Sequence, residues 1–135
     1  MDLDKAIAIS ASGMTAQATR LRIIAENLAN QDTTGSRPDR DPYRRKTVSF
    51  ASRLDTASGT ASVAVKRIGV DKSDFPKRYD PSHPAADAQG YVRTPNVNSF
   101  VEIMDMKEAQ HSYSANLSVM QVTRSMLTRT IEMLK

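Results

Sequence analysis

Side chains that could perform catalysis or bind a metal are few in this sequence. The two histidines lie far apart, His83 in a proline-rich segment and His111 in a helical pattern, and no HExxH, GxSxG, Walker or GxGxxG spacing occurs. Asp80, His83 and Asp87 match no usual metal-ligand spacing, and the absence of cysteine excludes thiolate sites and disulfides. The sequence therefore predicts no enzyme activity, no metal and no cofactor.

The strongest chemical feature is a basic cluster that follows the first helical pattern. It sets six basic residues against Asp39 and Asp41, and its members are Arg37, Arg40, Arg44, Arg45, Lys46 and Arg53. Basic clusters bind nucleic acid through phosphate contacts, but here only Tyr43 is near for base stacking and the two aspartates would repel phosphate. We therefore expect Arg44, Arg45 and Lys46 to pair with acidic groups of protein neighbours or to lie on a solvated strand face.

Three asparagines carry structural interpretations. Asn30 follows the last apolar position of the first helix, where a left-handed backbone conformation often closes a helix. Asn27 and Asn116 lie within helical patterns although asparagine is a middling helix former. Each is either exposed or hydrogen-bonded across a helix interface, where it would fix the register.

Two helices must position these residues. Residues 3–29 contain no proline, and their apolar residues repeat every seven positions in two lines. The segment from residue 97 to the C-terminus contains neither proline nor glycine and repeats in the same way. The lines lie on more than one side of each helix, so we expect an assembly interface made of Ile7, Met14, Leu21, Leu28, Ile9, Ile23, Met106, Tyr113, Met120, Leu127, Leu134 and Met126.

The middle of the chain has a different character. Residues 31–96 hold all six prolines and four of the five glycines, so helix is not expected there. YRRKTVSF and SVAVKRIGV alternate weakly and predict short strands, joined as a hairpin by DTASGTAS. The segment FPKRYDPSHPAADAQGYVRTPNVN predicts an ordered but irregular loop. The predicted organisation is an assembly helix over 1–30, a middle region over 31–96 and an assembly helix over 97–135.

Composition limits the class of protein. Hydrophobic residues make up 39% of the chain, tryptophan is absent and seven residues are methionine, which suits helix–helix seams more than an aromatic core. The net charge of +4 and the pI near 9.6 allow an acidic partner without requiring one. The sequence starts MDLD and has no continuous apolar core, so we expect no cleaved signal peptide.

Two terminal segments resemble the bacterial flagellar rod and hook proteins. The N-terminal ISASGMTAQATRLRIIAENLANQDT is similar to the family's amino-terminal signature, whose Asn-Leu-Ala-Asn core corresponds to residues 27–30 here. The C-terminal YSANLSVMQVTRSMLTRTIEMLK resembles the matching end of the family. PYRRKTVSF and YDPSHPAADAQGYVRTPNVNSFVEIMDM narrow the resemblance to proximal rod subunits, whereas QDTTGSRPDRD departs from the family pattern.

The resemblance implies a structural subunit of the proximal rod, the hollow drive shaft that transmits torque and carries exported subunits. It implies a mainly α fold in which the two terminal helices pair as an antiparallel coiled coil, with a small irregular β-containing middle region. The implied partners are further copies of itself, the rod proteins FlgB, FlgF and FlgG, the MS-ring/rod junction and, in transit, the flagellar type III export apparatus. Nucleic acid and small-molecule substrates are not implied. The implied location is the periplasmic rod.

Two alternatives stay open from the residues alone. A basic nucleic-acid-binding protein would show salt-sensitive binding that depends on Arg44, Arg45 and Lys46. A helical adaptor would be a well-folded monomer or dimer with protected ends.

Overall fold

The computed structural model describes residues 2–134. Its elements are helix α1 (Leu3–Ala29), strands β1 (Lys46–Asp55), β2 (Thr60–Val70), β3 (Lys77–Tyr79) and β4 (Tyr91–Arg93), and helix α2 (Ser99–Met133). The predicted fold class, mainly helical with small β elements between two long terminal helices, is confirmed. No helix among these residues is both long enough and apolar enough to cross a membrane.

The start of α2 is fixed by a side-chain cap. The Asn98 carboxamide oxygen accepts the backbone N–H groups of Phe100 at 3.0 Å and Val101 at 3.3 Å. These donors belong to the first turn, where no preceding helical carbonyl is available to them, so asparagine satisfies them at low cost. Glu102 in the same turn places a negative charge near the positive end of the helix.

Four strands form two separate two-stranded sheets. β1 and β2 are joined by only four residues, which is too short for a parallel crossover, so they form the expected antiparallel hairpin. β3 and β4 pair antiparallel, with Arg78 opposite Val92. This second hairpin corrects the irregular loop expected for the proline-rich segment. Its turn is closed by Asp87, whose carboxylate accepts the N–H groups of Gln89 and Tyr91.

The chain divides into two compact units. The first unit contains α1 through Leu21, Val48–Arg67 and the chain from Met106 onward. The helices here are antiparallel, since Arg20 pairs with Glu108 at 3.4 Å and a Cβ added at Gly13 would lie 2.9 Å from the Asn116 side chain. Their buried residues are small: Ser10, Ala16, Ala109 and Thr123.

The second unit contains Arg22–Thr47 and Ile68–Asp105. Its apolar core is built from Ile23, Ile24, Val92 and Ala85, and two polar residues, Asn27 and Glu102, are buried with them. Gly90 has a φ of 85°, and a Cβ there would lie 3.0 Å from Tyr79 and 3.1 Å from Pro81. This position requires glycine for its backbone conformation and for its close neighbours.

Candidate functional site

The centre of the second unit is Asn27, near the C-terminal end of α1. Its Nδ2 donates to the Lys46 carbonyl at 2.9 Å and to Glu102 Oε2 at 3.3 Å. Its Oδ1 accepts the Tyr43 hydroxyl at 2.8 Å and the Lys46 N–H at 2.9 Å. An asparagine amide offers two donors and two lone pairs, and all four are used. Asn27 therefore joins α1, α2 and the segment before β1 while only 1% exposed.

Glu102 is the acidic member of this network and is completely buried. One carboxylate oxygen accepts from Asn27, and the other accepts from Nε of Arg45. A buried carboxylate is strongly unfavourable unless a cation and hydrogen-bond donors compensate it. Arg45 supplies that cation, so the pair holds the first turn of α2 against the segment that precedes β1.

Arg45 also reaches two further carboxylates, Asp71 at 3.8 Å and Asp105 at 3.7 Å. Its backbone N–H donates to Asn96 Oδ1 at 2.8 Å, and its carbonyl accepts the Asp71 N–H at 2.8 Å. The pKa of Asp71 is lowered, first by the hydrogen bond from the Ser73 backbone N–H and then by the Ser73 side chain, with smaller contributions from Arg45 and Arg44. Asp71 is thus held as a carboxylate beside Arg45.

Lys46 and Tyr43 complete the network. Lys46 Nζ bonds to Glu26 Oε2 at 2.7 Å, which lowers the pKa of Glu26 and raises the pKa of Lys46. Burial raises the pKa of Tyr43, so its hydroxyl stays protonated and can donate to Asn27. Tyr43 through its hydroxyl, and Lys46 through its backbone and its ammonium group, thus bond to residues of α1.

Arg44 is held by a neighbouring segment. Its guanidinium donates to the carbonyls of Asp71 at 2.9 Å and Ser73 at 3.0 Å, and lies 4.1 Å from the centroid of the Phe75 ring. The planar guanidinium can make both kinds of contact at once, which an ammonium group cannot. Arg44, Arg45 and Lys46 therefore meet groups of their own chain. We expected these three residues to pair with acidic groups of protein neighbours or to lie on a solvated strand face. Arg45 and Lys46 instead pair with carboxylates of their own chain, and Arg44 donates to backbone carbonyls.

The other two asparagines, Asn30 and Asn116, make different contacts. Asn30 does follow the end of α1, but its expected left-handed backbone is wrong, because no described non-glycine residue has a positive φ. Instead, Asn30 Nδ2 donates to the Glu26 carbonyl at 2.9 Å and caps the helix through its side chain. Asn116 was expected to be either exposed or hydrogen-bonded across a helix interface. It is half-buried, its Nδ2 donates to the Ser112 carbonyl within α2 at 3.0 Å, and its side chain packs against Gly13 of α1.

The twelve residues expected at an assembly interface fall into three groups. Ile23 is buried within the chain. The half-buried residues flank the seam between α1 and α2: Ile7, Met14, Leu21, Leu28, Met106, Tyr113, Met120 and Leu127. The exposed residues are Ile9, Met126 and Leu134. The half-buried residues already contribute to packing inside the chain, so the exposed group has the most apolar surface left for a neighbour.

An exposed apolar stripe runs along α2 in the first unit. Val119, Val122 and Met126 are 50%, 59% and 47% exposed, and their i, i+3, i+7 spacing puts them on one helix face. Met133 continues the same face. The seam residues Ala109 and Thr123 lie on a different face and are buried. We refer to Val119, Val122, Met126 and Met133 as the α2 stripe.

Sequence reasoning missed the seam that α2 presents to α1. That seam includes Glu102, Ala109, Asn116 and Thr123, which repeat every seven residues. This heptad repeat is visible in the sequence, but its members are small or polar. The prediction instead followed the repeat of larger apolar residues from Met106 to Leu134. Glu102 carried no signal of burial, because its partner Arg45 is distant in sequence.

No group of three or more metal-ligating side chains occurs among residues 2–134. His83 instead closes a turn: its Nδ1 accepts the Ala85 N–H at 3.0 Å, and its Nε2 lies 3.2 Å from Thr34 Oγ1. Both ring nitrogens are used within the fold.

Comparison with known proteins gives consistent matches. A family profile described as flagella basal body rod protein matches residues 7–36, and one described as flagellar basal body rod FlgEFG protein C-terminal matches residues 88–133. The chain is 53% identical to the flagellar basal-body rod protein FlgC of Agrobacterium fabrum, over 98% of this chain and 96% of the relative. It is 40% identical to FlgC of Bacillus subtilis, over 92% and 93%. It is 41% identical to FlgC of Salmonella typhimurium, over 91% of each.

Proposed function

This chain belongs to the FlgC family of flagellar basal-body rod proteins, and on that premise we propose that its α2 stripe packs against neighbouring subunits in the wall of the proximal rod. The family is structural and not enzymatic, and its members assemble with other rod proteins. The subunit thereby helps to build the hollow shaft that transmits torque and carries exported subunits.

The observation that carries this proposal is the exposure of the α2 stripe. Each of Val119, Val122 and Met126 leaves about half of its surface in water. Burying such side chains against a partner contributes roughly 25 cal/mol per Å² of apolar surface. Contiguous exposed apolar surface marks an interaction site, and in this proposal the occupant is an apolar helix face of a neighbouring rod subunit.

The partners follow from the position of the family in the rod. We place further copies of this chain and the rod proteins FlgB, FlgF and FlgG against the terminal helices, and the MS-ring/rod junction at the base of the assembly. The subunit reaches the periplasmic rod through the flagellar type III export apparatus. Because Arg44, Arg45 and Lys46 already have partners within the chain, we favour protein partners over nucleic acid.

The test is a charge placed in the α2 stripe. Val122→Asp should fold and be secreted as the unaltered chain is, because Val122 is exposed, but the chain should fail to enter basal bodies and cells should lose motility. Gln121→Asp is the matched control, since Gln121 is an exposed residue on another face of the same helix. Normal incorporation of Val122→Asp into purified basal bodies would contradict the proposal.

A further inference from the structure

Asn27 and Glu102 depend on a segment that belongs to neither helix. Of the four hydrogen bonds of Asn27, three are made by Tyr43 and the Lys46 backbone, and one by Glu102. The hydrogen bond between the Asn27 and Glu102 side chains is the longest of the four, at 3.3 Å. The pairing of these two residues is weak without their shared neighbours.

The charge of Glu102 points to the same dependence. Its carboxylate is fully buried, and its cation comes from Arg45. Suppose that residues 99–105 packed against residues 22–29 before residues 43–46 were in place. The Glu102 carboxylate would then be buried without a cation, and Asn27 would lack three of its four hydrogen bonds. Both situations are strongly unfavourable. The two helix ends therefore pair stably only when residues 43–46 contact both of them.

We propose that residues 43–46 form a clasp whose closure is required for the pairing of residues 22–29 with residues 99–105. In a chain whose middle region has not folded, this end of the helix pair stays open. Its consequence in the cell rests on the proposed function: a newly exported subunit presents a completed helix pair to the rod only after its middle region has folded. Folding of the middle region around residues 43–46 is then a condition for the ordering of residues 22–29 and 99–105.

The test is amide hydrogen exchange, followed by mass spectrometry, on the purified full chain. Tyr43→Phe removes one hydroxyl, and losing a buried hydrogen bond of this kind corresponds to roughly a 5- to 30-fold change in an opening equilibrium. We expect exchange in the three segments 22–29, 43–47 and 99–105 to accelerate by a common factor in that range. Tyr79→Phe is the matched control, because Tyr79 is exposed in the same unit, and should leave all three segments unchanged.

Glu102→Gln provides an independent variant that retains the shape of the side chain and removes its charge. It should also accelerate exchange in all three segments together, whereas Asp74→Asn, at an exposed acidic position, should not. Faster exchange confined to segment 43–47, with unchanged protection of the two helix ends, would overturn the proposal. Intact coupling in a chain that fails to enter basal bodies would contradict the proposed function and leave the clasp standing.

Discussion

Asn27 on α1 donates a hydrogen bond to Glu102 on α2, and both side chains are almost completely buried. The two residues lie far apart in sequence, yet they share a site with Arg45 and the Lys46 backbone. A buried polar contact between two helices favours one register, because sliding the helices would leave the polar groups unpaired. We therefore propose that the Asn27–Glu102 contact sets the register of the second unit.

Replacing Asn27 should be the most damaging single change among the asparagines. Asn27→Ala leaves the Tyr43 hydroxyl, the Lys46 backbone and one Glu102 oxygen without partners, which should lower the free energy of unfolding by about 2–4 kcal/mol. Asn30→Ala removes the side-chain bond to the Glu26 carbonyl and an exposed bond from the Thr33 hydroxyl, and should lower it by about 1 kcal/mol. Urea unfolding followed by circular dichroism measures both, and equal losses in the two variants would refute the special role of Asn27.

Gly13 and Asn116 should show coupled effects on stability. Alanine is better than glycine inside a helix by roughly 1 kcal/mol, but the added Cβ would lie 2.9 Å from Asn116 Nδ2 and force that amide to move. We expect Gly13→Ala to stabilise an Asn116→Ala chain by about 1 kcal/mol and the unaltered chain by distinctly less. A double-mutant cycle measures the difference, and strict additivity would show that the two residues do not interact.

Acid should weaken the second unit through Asp71 and Glu26. Both carboxyl groups have folded-state pKa values below the ordinary 3.8 and 4.5, so the unfolded chain takes up their protons first as pH falls. Their stabilisation is present at neutral pH and is lost as pH falls below about 4, through the folded pKa. Urea midpoints at pH 7 and pH 3 test this. The fall in the urea midpoint between pH 7 and pH 3 should be smaller in Asp71→Asn than in the unaltered chain. An equal fall would show that Asp71 does not contribute to the acid sensitivity.

Arg44 should not tolerate lysine. Lysine keeps the charge but cannot donate to two carbonyls while stacking on Phe75, so Arg44→Lys should cost about 1 kcal/mol in the free energy of unfolding. Arg40 is exposed, so Arg40→Lys should change stability by less than about 0.5 kcal/mol. Thermal or urea unfolding of the two variants would show whether geometry or charge matters at Arg44.

The helices were predictable because their signals are local. Proline-free heptads placed α1 at its observed bounds, and the absence of proline and glycine after Pro95 placed the start of α2 close to its observed position. The strand alternation around residues 46–70 was equally local. The β3–β4 hairpin was not predicted, since its three-residue strands are too short to show alternation and are surrounded by prolines.

The site was less predictable because it depends on long-range charge pairing. Arg44, Arg45 and Lys46 were expected to pair with protein neighbours or to lie on a solvated face. The carboxylates that pair with Arg45 and Lys46 lie in other segments of the same chain, among them Glu26, Asp71 and Glu102. A sequence pattern shows a charge but not the neighbour that neutralises it. Asn27 was the exception, since an asparagine within an apolar helical pattern already indicated either exposure or a polar contact across an interface.

The most direct test of the central claim, that the α2 stripe is covered in the rod, is thiol labelling of a single cysteine. The chain has no natural cysteine, so Val122→Cys provides a unique reporter at an exposed position. We predict rapid maleimide labelling of the purified chain and strong protection in isolated basal bodies that contain the same variant. Equal labelling rates in the free chain and in intact basal bodies would contradict the account.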